Sequence, residues 1–235
     1  MEKRIGDKHV TLPDITLPTT AVILADGLYP MSGPAAEILR SAPRVVCCDG
    51  AANRFVVRRM RRPEAIVGDC DSLSAWVRHL CREVVHQDDD QLTNDLTKAV
   101  GYCVGQGATD IVILGATGRR EDHTLGNISL LCDYARRANV AMVTDNGVFI
   151  PMTGRRSFES FAGQQASIFV LNPGSRVVYE GLKYPLPEER LRSWWQGTLN
   201  ESLGEVFTIE CDGDAIVFRA FEGAAARCRP RRGRK

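Results

Sequence analysis

Short apolar runs alternate with amphipathic stretches along the first 146 residues. The runs at 21–25, 44–48, 65–67, 111–114 and 140–144 read as strands, because continuous apolar character is what a strand covered on both faces requires. Residues 83–86 form a shorter strand candidate. Helices are predicted over 34–41, 51–62, 73–80, 94–104 and 125–138. Pro63 stops the second of these, Ser72 is set to cap the third, and Gly105 ends the fourth. In that fourth helix Leu96, Ala99, Val100, Cys103 and Val104 recur near helical spacing. Strands alternating with helices predict an α/β unit with a mostly parallel, Rossmann-like three-layer sheet, its ligands at the carboxyl ends of the strands.

The texture changes after Asp145-Asn146-Gly147, where Asn-Gly is a strong hairpin signal. Runs of strand composition follow at 148–152, 166–171, 176–179, 206–211 and 215–221. Turn clusters such as Asn172-Pro173-Gly174 and Asp212-Gly213-Asp214 separate them. Helical texture is confined to 188–195. This half is expected to be an all-β sandwich, with a barrel as the alternative. The predicted layout is a loose leader over 1–19, an α/β unit over 20–146, a β unit over 147–225 and a basic tail over 226–235.

Composition narrows the class. With 44% apolar and 25% charged residues in 235, the chain matches an ordinary globular protein. No apolar run approaches a membrane span, and the N-terminus has no signal-like apolar core, so a cytoplasmic protein is expected. None of the eight cysteines forms a CxxC pair, which predicts buried free thiols. His9, His79, His86 and His123 lack metal-ligand spacing, which argues against zinc. The net charge of +1 includes six basic residues between Arg227 and Lys235 and leaves the rest at about −5. An acidic body makes nucleic acid an improbable main partner, and the tail reads as a solvated end.

Acidic residues stand at four turns: Asp49 in CCDGAANRF, Asp69 and Asp71 in IVGDCDSLS, Asp95 in QLTNDLTKAV, and Asp122 in GATGRREDHTLGN. If these turns lie at strand ends of one parallel sheet, the carboxylates converge, and crowded carboxylates repel unless a divalent cation joins them. The pattern points to a Mg²⁺-dependent enzyme acting on a phosphorylated substrate. Within Gly68-Asp69-Cys70-Asp71-Ser72, an extended turn directs Asp69 and Asp71 to the same side. Lys98 either pairs with Asp95 three residues earlier or faces a phosphate. The segment Gly115–His123 offers backbone N–H groups and an arginine to phosphate oxygens, although the chain has no P-loop. His123 is either a general acid or base or a structural histidine at a helix start. Asn53 either binds a ligand or fastens its turn. Trp194-Trp195 either stack on an aromatic ring or fill a core or an interface.

Taken together and in order, DGAAN, GDCDS, DQLTND with Lys98, and GRREDHTLGN resemble the thiamine pyrophosphokinase family. The resemblance implies an α/β domain joined to a β-sandwich, a homodimer with the active site at its interface, and ATP and thiamine as substrates. The implied reaction moves the pyrophosphoryl group of ATP to thiamine, giving thiamine diphosphate and AMP. It further implies Asp69, Asp71 and Asp95 as Mg²⁺ ligands with Asp49 nearby, and Gln91 and Asn94 at the rim. Arg120, Asp122 and His123 match an Arg-x-Asp-His element, and Asn127 its downstream asparagine. Asp71, Asp95, Arg120 and Asp122 are thus the expected catalytic groups. Asp49, Asn53, Lys98, His123, Trp195, Thr198 and Asn200 are expected to contact substrates. Three segments depart from the family pattern: Arg119 replaces a usual glycine, Asn94 a common threonine, and Thr198-Leu199 a serine-containing stretch. The alternatives are another Mg²⁺-dependent phosphotransferase or nucleotide hydrolase on this scaffold, and a non-catalytic thiamine or nucleotide sensor.

Overall fold

The computed structural model describes residues 12–186 and 189–223. The tail expected at 226–235, most of the leader and the first residue of the stretch 188–195 lie outside the described residues. Contacts divide the chain into two compact units with a boundary between Asp145 and Asn146.

The first unit holds six strands: β1 (Thr20–Leu24), β2 (Val45–Cys48), β3 (Ala65–Gly68), β4 (Val85–Gln87), β5 (Asp110–Leu114) and β6 (Asn139–Val143). Their order is β6-β5-β1-β2-β3-β4, and every pairing among them is parallel. β1, β2, β3 and nearly all of β5 are buried along their whole length, as their unbroken apolar character requires. The chain steps outward from β1 to β4 and then returns, through α4 (Asp95–Gly105), to β5 on the other side of β1. That reversal opens a crevice beyond the carboxyl ends of the central strands. Residues 13–19 are no loose leader: Ile15 is 3% exposed, and Thr20 N donates to Leu17 O at 3.0 Å as the turn enters β1.

Several helices end elsewhere than predicted. α1 (Gly33–Ser41) follows its pattern, but α2 (Ala51–Arg59) stops at Met60, whose φ of 49° closes the helix before Pro63 is reached. α3 (Ala75–Leu80) is capped by Ser74, whose Oγ accepts from Val77 N at 3.3 Å, and not by Ser72. The helix expected over 125–138 starts earlier and divides into α5 (Glu121–Ser129) and α6 (Leu131–Ala135). Glu121 and Asp122 favour that earlier start, because carboxylates are stabilised in a first helical turn.

The described part of the second unit is antiparallel. β7 (Gly147–Glu159), β8 (Gln164–Val170), β10 (Asn200–Glu201) and β11 (Val206–Gly223) lie in the order β10-β8-β11-β7, and β9 (Val177–Glu180) also pairs β11. The separate strands expected at 206–211 and 215–221 are one strand. The Asp212-Gly213-Asp214 cluster is a register shift within it and not a turn, because β7 pairs β11 continuously on both sides. Opposite the shift, β7 crosses Gly154 at φ 68°. In place of the helix expected at 188–195, a single 3-10 turn spans Trp194–Gly197. Phe158 and Phe207 stack at 5.2 Å in the core of this unit. Arg219 is 3% exposed beside them, donates to Glu159 O and holds its guanidinium over the Phe158 ring. Burial pulls its pKa down to about 10.

Candidate active site

A crevice of about 400 Å³ lies beyond the strand ends of the first unit, and every residue lining it belongs to that unit. Asp49 follows β2 in a left-handed backbone conformation (φ 35°) and is 3% exposed. Its Oδ2 accepts from Ser72 N at 3.0 Å, while Oδ1 is buried without a hydrogen-bond partner. β3 ends at Gly68, where φ is 154°. A Cβ there would lie 2.9 Å from both Asp49 Cβ and Asp95 Oδ1. The missing side chain is therefore what lets those two carboxylates approach.

Asp69 and Asp71 converge by a route other than an extended turn. Cys70 between them has φ 65°, and this left-handed residue curls the loop. Asp71 N donates to Asp69 Oδ1 at 3.2 Å, and Arg78 fixes the turn by donating to Cys70 O at 2.6 Å. One carboxylate oxygen from each of Asp49, Asp69 and Asp71 lies within 4.8 Å of the others. Asp95, outside that trio, borders it at the start of α4, which Asn94 caps through Thr97 N at 2.9 Å.

The electrostatics follow from this crowding. Burial raises the Asp49 carboxyl above its ordinary range, and Asp95, Asp69 and Asp71 add to the rise against the Ser72 N–H. Asp95 is raised by burial and by Asp69, with Lys98 opposing. A hard divalent cation fits this all-oxygen set, with the unpartnered Asp49 Oδ1 as an available donor.

Around the carboxylates the crevice is framed by loops. Lys98 is buried, donates to Asp88 O at 2.7 Å and stands 3.8 Å from Asp95. Asp90 organises the loop that carries Gln91 by accepting from Leu92 N at 2.9 Å. Asn127 donates to Ala116 O at 2.9 Å and accepts from Asn94 Nδ2 at 3.3 Å, which ties the β5–α5 loop to α4. His123 and Arg120 line the crevice. Arg120 is paired in a fork with Asp122, which holds that carboxyl down at about 2.

Other predicted residues stand apart from the lining. Asn53 fastens the turn, donating to Ser72 O at 2.8 Å and accepting from Ser74 N at 3.0 Å. Asp122 faces Arg120 at the surface. In the second unit Trp195 is 74% exposed, and Thr198 Oγ1 donates to Trp195 O. Asn200 is buried. Its Oδ1 accepts from Tyr184 N and Glu201 N, while Nδ2 donates to Tyr184 O and Tyr179 Oη, so its amide is engaged within the unit. Asp26 and Gly27 also line the crevice, and sequence reasoning missed them. The signal was present, since Asp26-Gly27 follows the apolar run of β1 as Asp49-Gly50 follows β2.

An α/β unit with an acidic crevice, followed by an antiparallel β unit, defines the class. Residues 35–143 match the model described as thiamin pyrophosphokinase, catalytic domain, and residues 147–218 the model for its substrate-binding domain. Thiamine pyrophosphokinase 3 of Oryza sativa subsp. japonica is 31% identical over 216 residues, spanning 75% of this chain and 81% of that protein. Thiamine pyrophosphokinase 2 of Arabidopsis thaliana is 28% identical over 202 residues, 73% of this chain and 75% of that one. The crystal structure of thiamine pyrophosphokinase from Bacillus subtilis superposes with a TM-score of 0.69 at 22% identity, covering 86% of this chain and 99% of that one. The chain belongs to the thiamine pyrophosphokinase family.

Proposed function

We infer that this protein transfers the pyrophosphoryl group of ATP to the hydroxyethyl oxygen of thiamine, releasing thiamine diphosphate and AMP. The observation that carries the reading is the convergence of Asp49, Asp69 and Asp71, with Asp95 beside them, in a chain that matches both family models. In the reaction the thiamine oxygen bonds to the β-phosphorus of ATP. The bond from that phosphorus to the oxygen shared with the α-phosphorus breaks, and the hydroxyl proton passes to a carboxylate, Asp71 or Asp95. Asp49, Asp69, Asp71 and Asp95 would hold Mg²⁺, whose chemistry is to offset charge on the polyphosphate. Arg120 exchanges Asp122 for a phosphate oxygen, and Lys98 holds the Asp88–Gln91 loop against the site. Gln91, Asn94, His123 and Asn127 frame the substrates.

On this reading residues 20–146 are a Rossmann-like, three-layer catalytic unit. Residues 147–225 are a sandwich, a description supported by β11, which pairs β9 along one half and β8 along the other. That second unit binds thiamine and joins a homodimer through the segment carrying Trp195, Thr198 and Asn200. The buried free cysteines suit a reducing, cytoplasmic setting, and no described helix is long and apolar enough to cross a membrane. Purified protein given ATP, Mg²⁺ and thiamine should release AMP only when thiamine is present. Thiamine-independent nucleotide cleavage, or no turnover, would overturn the reading.

A further inference from the structure

Three backbone hydrogen bonds tie the β1–α1 loop to the end of β5 and the β5–α5 loop at the crevice mouth: Ala25 N to Leu114 O at 2.9 Å, Gly27 N to Gly115 O at 2.6 Å and Leu28 N to Thr117 O at 2.8 Å. The approach is so close that a Cβ at Gly27 would collide with Gly115 O. Above this seam Arg119 Nη1 donates to both Asp26 O (2.8 Å) and Asp26 Oδ2 (2.9 Å). The side chains of the pair are 46% and 37% exposed, and an ion pair so exposed adds little to stability. The loops are already joined without it, so a purely structural role leaves the pair unexplained.

Its placement supplies a role. Asp26 Oδ2 lies 3.1 Å from where a Gly50 Cβ would stand, beside the turn that presents Asp49. Arg119 is thereby held at the rim next to the carboxylate set. The other lining cations are engaged, Lys98 by Asp88 O and Asp95, Arg120 by Asp122. Arg119 keeps cationic N–H groups on both Nε and Nη2 with no acceptor among the described residues, whereas the fork with Asp122 leaves Arg120 only Nη1.

We propose that Asp26 is a positioning residue that holds Arg119 over the crevice, where the guanidinium's open N–H edge binds the polyphosphate of the nucleotide. A planar fork of donors suits phosphate oxygens, and its fixed orientation lowers the cost of ordering it on binding. This rests on the ATP-dependent reading above.

The test is calorimetric binding of Mg²⁺ with a non-hydrolysable ATP analogue, in the absence of thiamine, alongside steady-state kinetics for both substrates. Arg119→Ala should weaken analogue binding about tenfold or more, as expected for a lost charge-assisted hydrogen bond, and raise KM for ATP while leaving KM for thiamine unchanged. Arg119→Lys should recover part of the loss, and Asp26→Asn should weaken analogue binding in the same direction. The double swap Asp26→Arg with Arg119→Asp restores an ion pair but should stay weak, because a carboxylate then faces the phosphates. Analogue affinity within twofold of the parent in Arg119→Ala, or restored by the swap, overturns the proposal. Thermal unfolding of each variant separates misfolding from lost contact. If the parent makes thiamine diphosphate while Arg119→Ala binds normally, the inference fails and the reading of function stands. If the parent makes none yet binds the analogue through Arg119, the reading fails and the site remains.

Discussion

Gly68 shows how one absent side chain shapes the site. In Gly68→Ala the added methyl meets Asp49 Cβ and Asp95 Oδ1 at 2.9 Å, on a backbone with φ 154° that L-residues avoid. The variant should lose about 1–3 kcal/mol of stability in urea unfolding and most of its turnover, because the carboxylates must separate. Asp49 and Asp95 give a second prediction. Burial raises both carboxyls in the folded chain. In the absence of metal, their contribution to stability is therefore full below the ordinary carboxylate range and is lost as pH rises through the raised values. Mg²⁺ bound by the proposed site would reverse that loss by favouring the charged forms. The rise in Tm on adding Mg²⁺ should thus be largest near neutral pH and disappear as the carboxyls protonate in acid. A Tm gain that persists unchanged into acid would contradict these assignments. At this scale the acidic turns were legible, because a carboxylate directly after an apolar run is a sequence pattern. The left-handed Cys70 and the Asp26–Arg119 pair were not, since a backbone well and a partner 93 residues away leave no local trace.

Elements were legible where burial dictates pattern and less so at their ends. The unbroken apolar runs of β1, β2, β3 and β5 are buried as their composition requires. End signals were harder to rank. Ser72 and Ser74 are both capable caps, and Ser72 is committed instead to Asp49 through its N–H and to Asp71 through its hydroxyl. The two halves of β11 read as separate strands because Asp-Gly-Asp has turn composition, whereas continuous pairing with β7 decides the outcome. Asn200 tests an element-scale claim. Its amide joins β10 to Tyr184 and Tyr179 through three hydrogen bonds and accepts a fourth from Glu201 N. Asn200→Ala should destabilise the protein by about 2–3 kcal/mol in denaturant unfolding, because buried polar groups lose their partners. Unchanged stability with only a raised KM for thiamine would identify Asn200 as a ligand contact instead.

For the whole molecule, the order β6-β5-β1-β2-β3-β4 explains why carboxylates distant in sequence meet. The chain reverses direction beside β1, and strands on both sides of the reversal end on one edge. The alternation of strands and helices made that convergence predictable, although strand order itself depends on tertiary packing that no local pattern encodes. The proposed homodimer predicts that an Asp71→Ala chain and a Trp195→Ala chain, each inactive, partly restore activity when combined into mixed dimers. No recovery in mixed dimers shown to form would argue against shared sites. The central claim, that Asp49, Asp69, Asp71 and Asp95 form one cation site, is tested most directly by a crystal structure with Mg²⁺ and a non-hydrolysable ATP analogue. The account predicts an ion about 2.0–2.1 Å from carboxylate oxygens of this set, shared with the polyphosphate. Carboxylates turned away from one another, with no ion between them, would contradict it.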